Sequence, residues 1–203
     1  MSFPYEGVSP VPSLPDGRRP VVSSGFGMRE SGMHSGLDIM YKRQAGEPAS
    51  GPNGSAGFYM PNGIPALAPM DSLVTASRET FTGDGESRGW GVTLQSLENP
   101  TWGIFINHIV KGTSRVSKGS QVAAGDVLGD IGGSPGSPGP GRGPGSNALK
   151  HVHMSLLKNG VMVDGEDYFS RWTVVPLDSV RSGGAVVLFG ALALGLTAAW
   201  LAS

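Results

Sequence analysis

Glycine and proline punctuate this chain so densely, 33 and 16 of 203 residues, that short strands joined by turns and long loops are expected rather than helices. The length fits one globular domain with appendages and is ample for a packed core. Within such a chain the stretch richest in chemistry is Lys150-His151-Val152-His153-Met154. Side chains alternate along a strand, so His151 and His153 share one face. Neutral imidazole is the commonest side-chain metal ligand, and a catalytic zinc usually takes three protein ligands and keeps a fourth position for water. Upstream, His34-Ser35-Gly36-Leu37-Asp38 offers a histidine and a carboxylate four residues apart. The chain has no cysteine, so a disulfide framework and a thiolate metal site are both excluded, and any metal must use His, Asp or Glu. A formal charge of −1 with 15 Lys+Arg gives no basic footprint for nucleic acid.

These segments resemble a known family, the lysostaphin-type zinc endopeptidases that cut peptide bridges in bacterial cell walls and share the duplicated hybrid motif fold. Ser24-Gly25-Phe26-Gly27-Met28-Arg29 followed by His34-Ser35-Gly36-Leu37-Asp38-Ile39 looks like that family's entry motif, a Gly-Phe-Gly turn, an arginine, then H-x-G-x-D. Residues 65–74 are similar to its next strand pair, and residues 119–129 to the hairpin before the final H-x-H. The likeness covers roughly residues 21–172 with order and spacing kept. It implies a mainly β domain with antiparallel sheets forming a groove, and a zinc ion held by His34, Asp38 and His153. His151 and His108 would be its catalytic pair, with their division of labour open.

Taken in order, residues 1–20 carry five prolines and no apolar run, and read as an extended N-terminal arm without the features of a secretory signal. Arg29 has two readings, a residue that steadies the site or a surface arginine. Residues 41–63 are polar and rich in Gly, Pro, Ser and Asn, and read as a loop insertion, either a wall of the substrate groove or a surface excursion. Ser72–Ala76 and Gly91–Leu94 read as strands of a meander. In Trp102–Ile109, period-2 alternation places Ile104, Ile106 and His108 on one core-facing row. By itself that pattern makes His108 a core histidine; the resemblance makes it catalytic. Where relatives commonly carry an aromatic before this histidine, this chain has Asn107. Residues 117–132 have the style of a biotinyl-carrier hairpin, but Lys118 lacks the flanking methionines of a modifiable lysine. Residues 132–146, almost entirely Gly, Pro and Ser, read as a lid or as plain slack. Asn159-Gly160 between apolar runs signals a two-residue hairpin.

The domain is thus expected at 21–172, with a linker at 173–181. Residues 182–203 carry no charge and read as a C-terminal transmembrane helix, since at ~1.5 Å per residue they reach across a hydrocarbon core of about 30 Å. A buried helix or coat-packing segment is the alternative. Arg171 and Arg181 precede this run and no basic residue follows it, a bias that keeps the preceding domain cytoplasmic. The expectation is a zinc metalloendopeptidase acting on peptidoglycan, anchored in a lipid membrane. Carriage in a virion membrane, with viral capsid or membrane proteins as partners and wall penetration during entry as the task, would reconcile that topology with the substrate. The alternatives are a non-catalytic wall-binding or structural module and a cellular wall-remodelling enzyme.

Overall fold

The computed structural model describes residues 6–30, 32–47, 57–81, 87–133 and 150–180. Its frame is a nine-stranded antiparallel sheet built on the order β1-β4-β12-β9-β8-β7-β10. These strands are β1 (Val21–Ser24), β4 (Leu37–Lys42), β12 (Val152–Lys158), β9 (Trp102–Ile109), β8 (Ser87–Ser96), β7 (Ser72–Phe81) and β10 (Gln121–Val122). Two short strands flank that path: β5 (Phe58–Tyr59) lies on β4, and β13 (Val161–Val163) lies on β12. Separate pairs are formed by β2 (Gly27–Arg29) with β3 (Gly32–His34), and by β6 (Pro65–Leu67) with β11 (Val127–Asp130). The mainly β architecture is the one expected, and β7-β8-β9 is the meander.

Alternation decides which face packs. Val152, Met154 and Leu156 of β12, Ile104 and Ile106 of β9, Val92 and Leu94 of β8 and Val74 of β7 are fully or almost fully buried in one apolar core. Burying such side chains gives each about 1.5–3 kcal/mol. The intervening residues, His153 and Ser155 on β12 and Phe105 on β9, therefore face the other way and line the open side of the sheet. At the end of β12 the chain turns through Asn159 and Gly160 with φ of 51° and 77°, the positive values a two-residue hairpin needs.

Several expectations are corrected. Residues 119–129 do not form a hairpin of their own: β10 pairs with β7 and β11 with β6, so the turn between them bridges two sheets. Likewise 65–74 is not a strand pair, because β6 and β7 also take different partners. The ends of the 41–63 segment are not loop: Tyr41 and Lys42 pair with Tyr59 and Phe58, and the Tyr41 ring is fully buried. The excursion narrows to the residues between, of which 48–56 lie outside the described residues.

The proline-rich arm is extended but packed, with Val8, Val11 and Leu14 buried. Prolines favour the three-residue polyproline turn, which puts every third side chain on one side. Its backbone bridges the segment read as a linker, Val8 to Thr173 and Ser13 to Pro176, and Val175 is buried there. The Tyr41 hydroxyl donates to the Pro12 carbonyl at 2.7 Å, and Arg18 clamps Glu47 through two 2.7 Å bonds. Positions 21 and 172 therefore do not mark the edge of the packed unit. Among the described residues no helix is long and apolar enough to cross a membrane. The proposed anchor at 182–203 and most of the 132–146 segment lie outside the described residues.

Candidate metal centre and acid–base pair

The centre forms where β4 and β12 lie side by side, with Asp38 opposite His153, and His153 in turn opposite Asn107 of β9. Directly opposed residues project from the same face. The third member arrives on β3, whose last residue is His34. Between His34 and β4 the backbone must pass the β12 strand, and Gly36 allows it: a Cβ there would sit 2.5 Å from the Met154 carbonyl oxygen and 2.7 Å from His153 Nε2. The glycine of H-x-G-x-D is thus a requirement of close approach.

Three atoms converge. His34 Nε2 lies 3.1 Å from Asp38 Oδ1 and 3.2 Å from His153 Nδ1, and His153 Nδ1 lies 3.0 Å from Asp38 Oδ1. These atoms match the set His34, Asp38 and His153 able to hold a metal ion. Their outer partners orient the rings. His34 Nδ1 lies between the Gly25 carbonyl, at 2.6 Å, and the Arg29 guanidinium, so the outer edge of the ring is held and Nε2 points inward. His153 Nε2 faces the Ser155 hydroxyl at 3.2 Å, which orients the ring with Nδ1 toward the other two residues. Two imidazole nitrogens and a carboxylate oxygen, all metal-ligating atom types, thus share one triangle. For zinc–ligand bonds of 2.0–2.1 Å a tetrahedron has an edge of about 3.3 Å, close to the three separations here. The donor set therefore fits zinc, and outer partners of this kind are the usual means of aiming histidine ligands.

Burial would raise the Asp38 carboxyl, but the imidazoles of His151, His153 and His34 gathered on it override that effect and hold the group well below the ordinary carboxylate range. Arg29, 3.4 Å from Asp38 Oδ2, lies against the outer edge of His34. Arg29 is thus an exposed arginine whose guanidinium reaches two residues of the centre.

His151 stands one residue before β12, with Nε2 3.4 Å from Asp38 Oδ1. His108 does not follow the alternating row. The register of β8 and β9 slips between Trp90 and Val92, so Asn107 and His108 together oppose Gly91 in a bulge, and His108 has φ of +65°. Bulges of this kind re-aim side chains beside active sites. The expected grouping of His108 with Ile104 and Ile106 fails for that reason. Its ring instead packs on His151, with centroids 4.5 Å apart, and lies 6.1 Å from His153. His108 Nδ1 donates to the Arg88 carbonyl at 2.8 Å, leaving Nε2 as the basic nitrogen. Burial, then the neighbouring His151, push its pKa well below the ordinary imidazole value.

All five residues singled out in the sequence thus meet at one place. Sequence reasoning missed the supports: Ser155, the Gly25 and Arg88 carbonyls, and the contact between Thr80 Oγ1 and Asn107 Oδ1 at 2.8 Å. Ser155 had a signal, since two residues beyond His153 on a strand is the same face. The carbonyls have none.

No family model matches the chain, and no curated protein matches it in sequence. Solved structures do match in fold. One from Pseudomonas aeruginosa assigned to peptidase M23 is 21% identical, with a TM-score of 0.50 over 80% of this chain and 50% of that one. A zinc-containing peptidase of Vibrio cholerae is 18% identical, with a TM-score of 0.51 over 79% of this chain and 39% of that one. The chain therefore spans half or less of these two proteins. A chain of the SpoIIQ–SpoIIIAH pore-forming complex is 13% identical, with a TM-score of 0.53 over 89% of this chain and 98% of that one. The chain has the fold of M23 peptidases, as the motif resemblance to lysostaphin-type zinc endopeptidases implied.

Proposed function

We propose that this protein is a zinc metalloendopeptidase that hydrolyses peptide cross-links of bacterial peptidoglycan. The observation that carries the reading is the triangle of metal-ligating atoms from His34, Asp38 and His153 with two further histidines at its side. Structural zinc sites are closed by four ligands, whereas three ligands beside acid–base groups are the pattern of hydrolytic ones.

Zinc bound there supplies a Lewis acid for the scissile carbonyl and acidifies water toward neutral pKa. The chain's own residues do the rest. His151 Nε2 lies 3.4 Å from Asp38 Oδ1, which holds the ring at the edge of the centre. His108, with its proton committed to the Arg88 carbonyl, is neutral and basic at Nε2. His151 and His108 take a proton during attack and return it to the leaving amine, help typically worth about 10²–10⁴-fold.

A second reading, a non-catalytic structural or protein-binding module, draws support from the likeness to the pore-forming complex chain. Digestion of purified peptidoglycan followed by fragment mass analysis separates the readings. New amines at cross-links support the endopeptidase, release of whole stem peptides from sugar would make it an amidase, and bound but intact wall would support the module. We further propose a membrane anchor at 182–203 and carriage in a virus particle. Recovery in membranes only when 182–203 is present, and presence in purified particles, test these two points; a soluble full-length chain, or absence from particles, contradicts them.

A further inference from the structure

The open face of the sheet continues past the metal centre. Asp38, His153 and Asn107 are directly opposed across β4, β12 and β9; Asn107 meets Gly91 of β8 at the bulge, and Gly91 is directly opposed to Arg78 of β7. That is one cross-strand row. Side-chain contacts confirm that it keeps to one face. His153 touches Ser155, Ser155 opposes Phe105, and a Cβ on Gly91 would meet the Phe105 ring and the Thr80 methyl, each at 2.7 Å. Thr80 is two residues from Arg78 on β7, hence on its face.

The row therefore has the histidine–aspartate cluster at one end, the half-buried Phe105 ring as a floor in the middle, and Arg78 at the far end. Arg78 is exposed and makes no hydrogen bond or ion pair with the described residues. The adjacent acid cannot serve it, because Glu79 points to the opposite face, where Lys111 and Ser87 hold it at 2.8 and 2.7 Å. Three strand spacings of about 4.8 Å separate β12 from β7, roughly 14 Å. That is about four residues of extended peptide at ~3.4 Å each.

We propose that Arg78 is a carboxylate-binding subsite, so that the substrate strand crosses the sheet over Phe105 and places a stem-peptide carboxylate on the Arg78 guanidinium. The proposal rests on the peptidase reading and narrows it to substrates bearing free carboxylates rather than uncharged bridges. The planar guanidinium fork matches a carboxylate with two parallel bonds, which a lysine cannot reproduce.

The test uses the zinc-loaded full chain and two probes, a cross-linked muropeptide dimer with free stem carboxylates and the same dimer amidated. Dissociation constants come from calorimetry at low ionic strength, where an exposed pair is least screened. The wild type is expected to bind the free form about five- to tenfold more tightly, as one charge-assisted contact gives. Arg78→Gln should abolish the difference, Arg78→Lys should keep part of it, and zinc content should match the wild type in both. Equal affinities in the wild type, no binding of the free dimer, or a preference that survives Arg78→Gln overturns the subsite. Turnover is scored separately: binding with preference but without cleavage counts against the peptidase reading and leaves the subsite standing.

Discussion

Gly36 and His153 approach so closely that a single added Cβ on the glycine would lie 2.7 Å from the imidazole Nε2. The same Cβ would meet the Met154 carbonyl at 2.5 Å, so neither side can give cheaply. Gly36→Ala is expected to displace His153 and lower zinc affinity at least tenfold, with a stability loss of about 1–3 kcal/mol from overpacking. Chelator competition reads the first effect and urea denaturation the second. Unchanged zinc affinity would mean that the strand crossing tolerates the methyl group.

Ser155 is fully buried and meets His153 Nε2 at 3.2 Å. Ser155→Ala should leave the fold intact and free the His153 ring to turn, weakening zinc binding by about 10–100-fold. Ser155→Thr, which keeps the hydroxyl, should restore most of it. A zinc titration comparing the three forms decides the matter.

The arm belongs to the core. Leu14→Ala should cost about 2–3 kcal/mol, as for buried leucines elsewhere, and Tyr41→Phe, which strands the Pro12 carbonyl, about 1 kcal/mol. Denaturant midpoints measure both, and an arm that merely hung from the domain would show neither loss.

The Arg18–Glu47 clamp gives a pH signature. Hydrogen bonding from Arg18, against a smaller effect of burial, holds the Glu47 carboxyl below its ordinary value of 4.5. A carboxyl depressed in the folded state contributes its stability above the unfolded pKa and loses it as pH falls through the folded one. The gap in thermal midpoint between wild type and Glu47→Gln should therefore be constant above about pH 5 and shrink below pH 4.5. A gap independent of pH would remove the clamp from the account.

Much of the centre was legible because its chemistry is carried by side chains at fixed spacing. His34, Gly36 and Asp38 lie within five residues, and His151 and His153 share a face by period 2. The core rows of β8, β9 and β12 were legible for the same reason. His108 was not, because a bulge is a mismatch between two strands, and only the partner strand reveals it. The packed arm hid behind its prolines: Val8, Val11 and Leu14 recur every third residue, a period of neither helix nor strand. The partners of β6, β10 and β11 escaped because short strands distant in sequence carry no mark of whom they join.

Zinc-dependent release of free amines from purified peptidoglycan tests the central claim most directly, with wild type, His153→Ala, His151→Ala and a chelator-treated sample side by side. The account predicts release by the zinc-loaded wild type and none from His153→Ala or the chelated sample. It predicts a loss of at least 100-fold in His151→Ala with zinc still bound. Full release by His151→Ala, or none by zinc-loaded wild type on several wall chemistries, would contradict it.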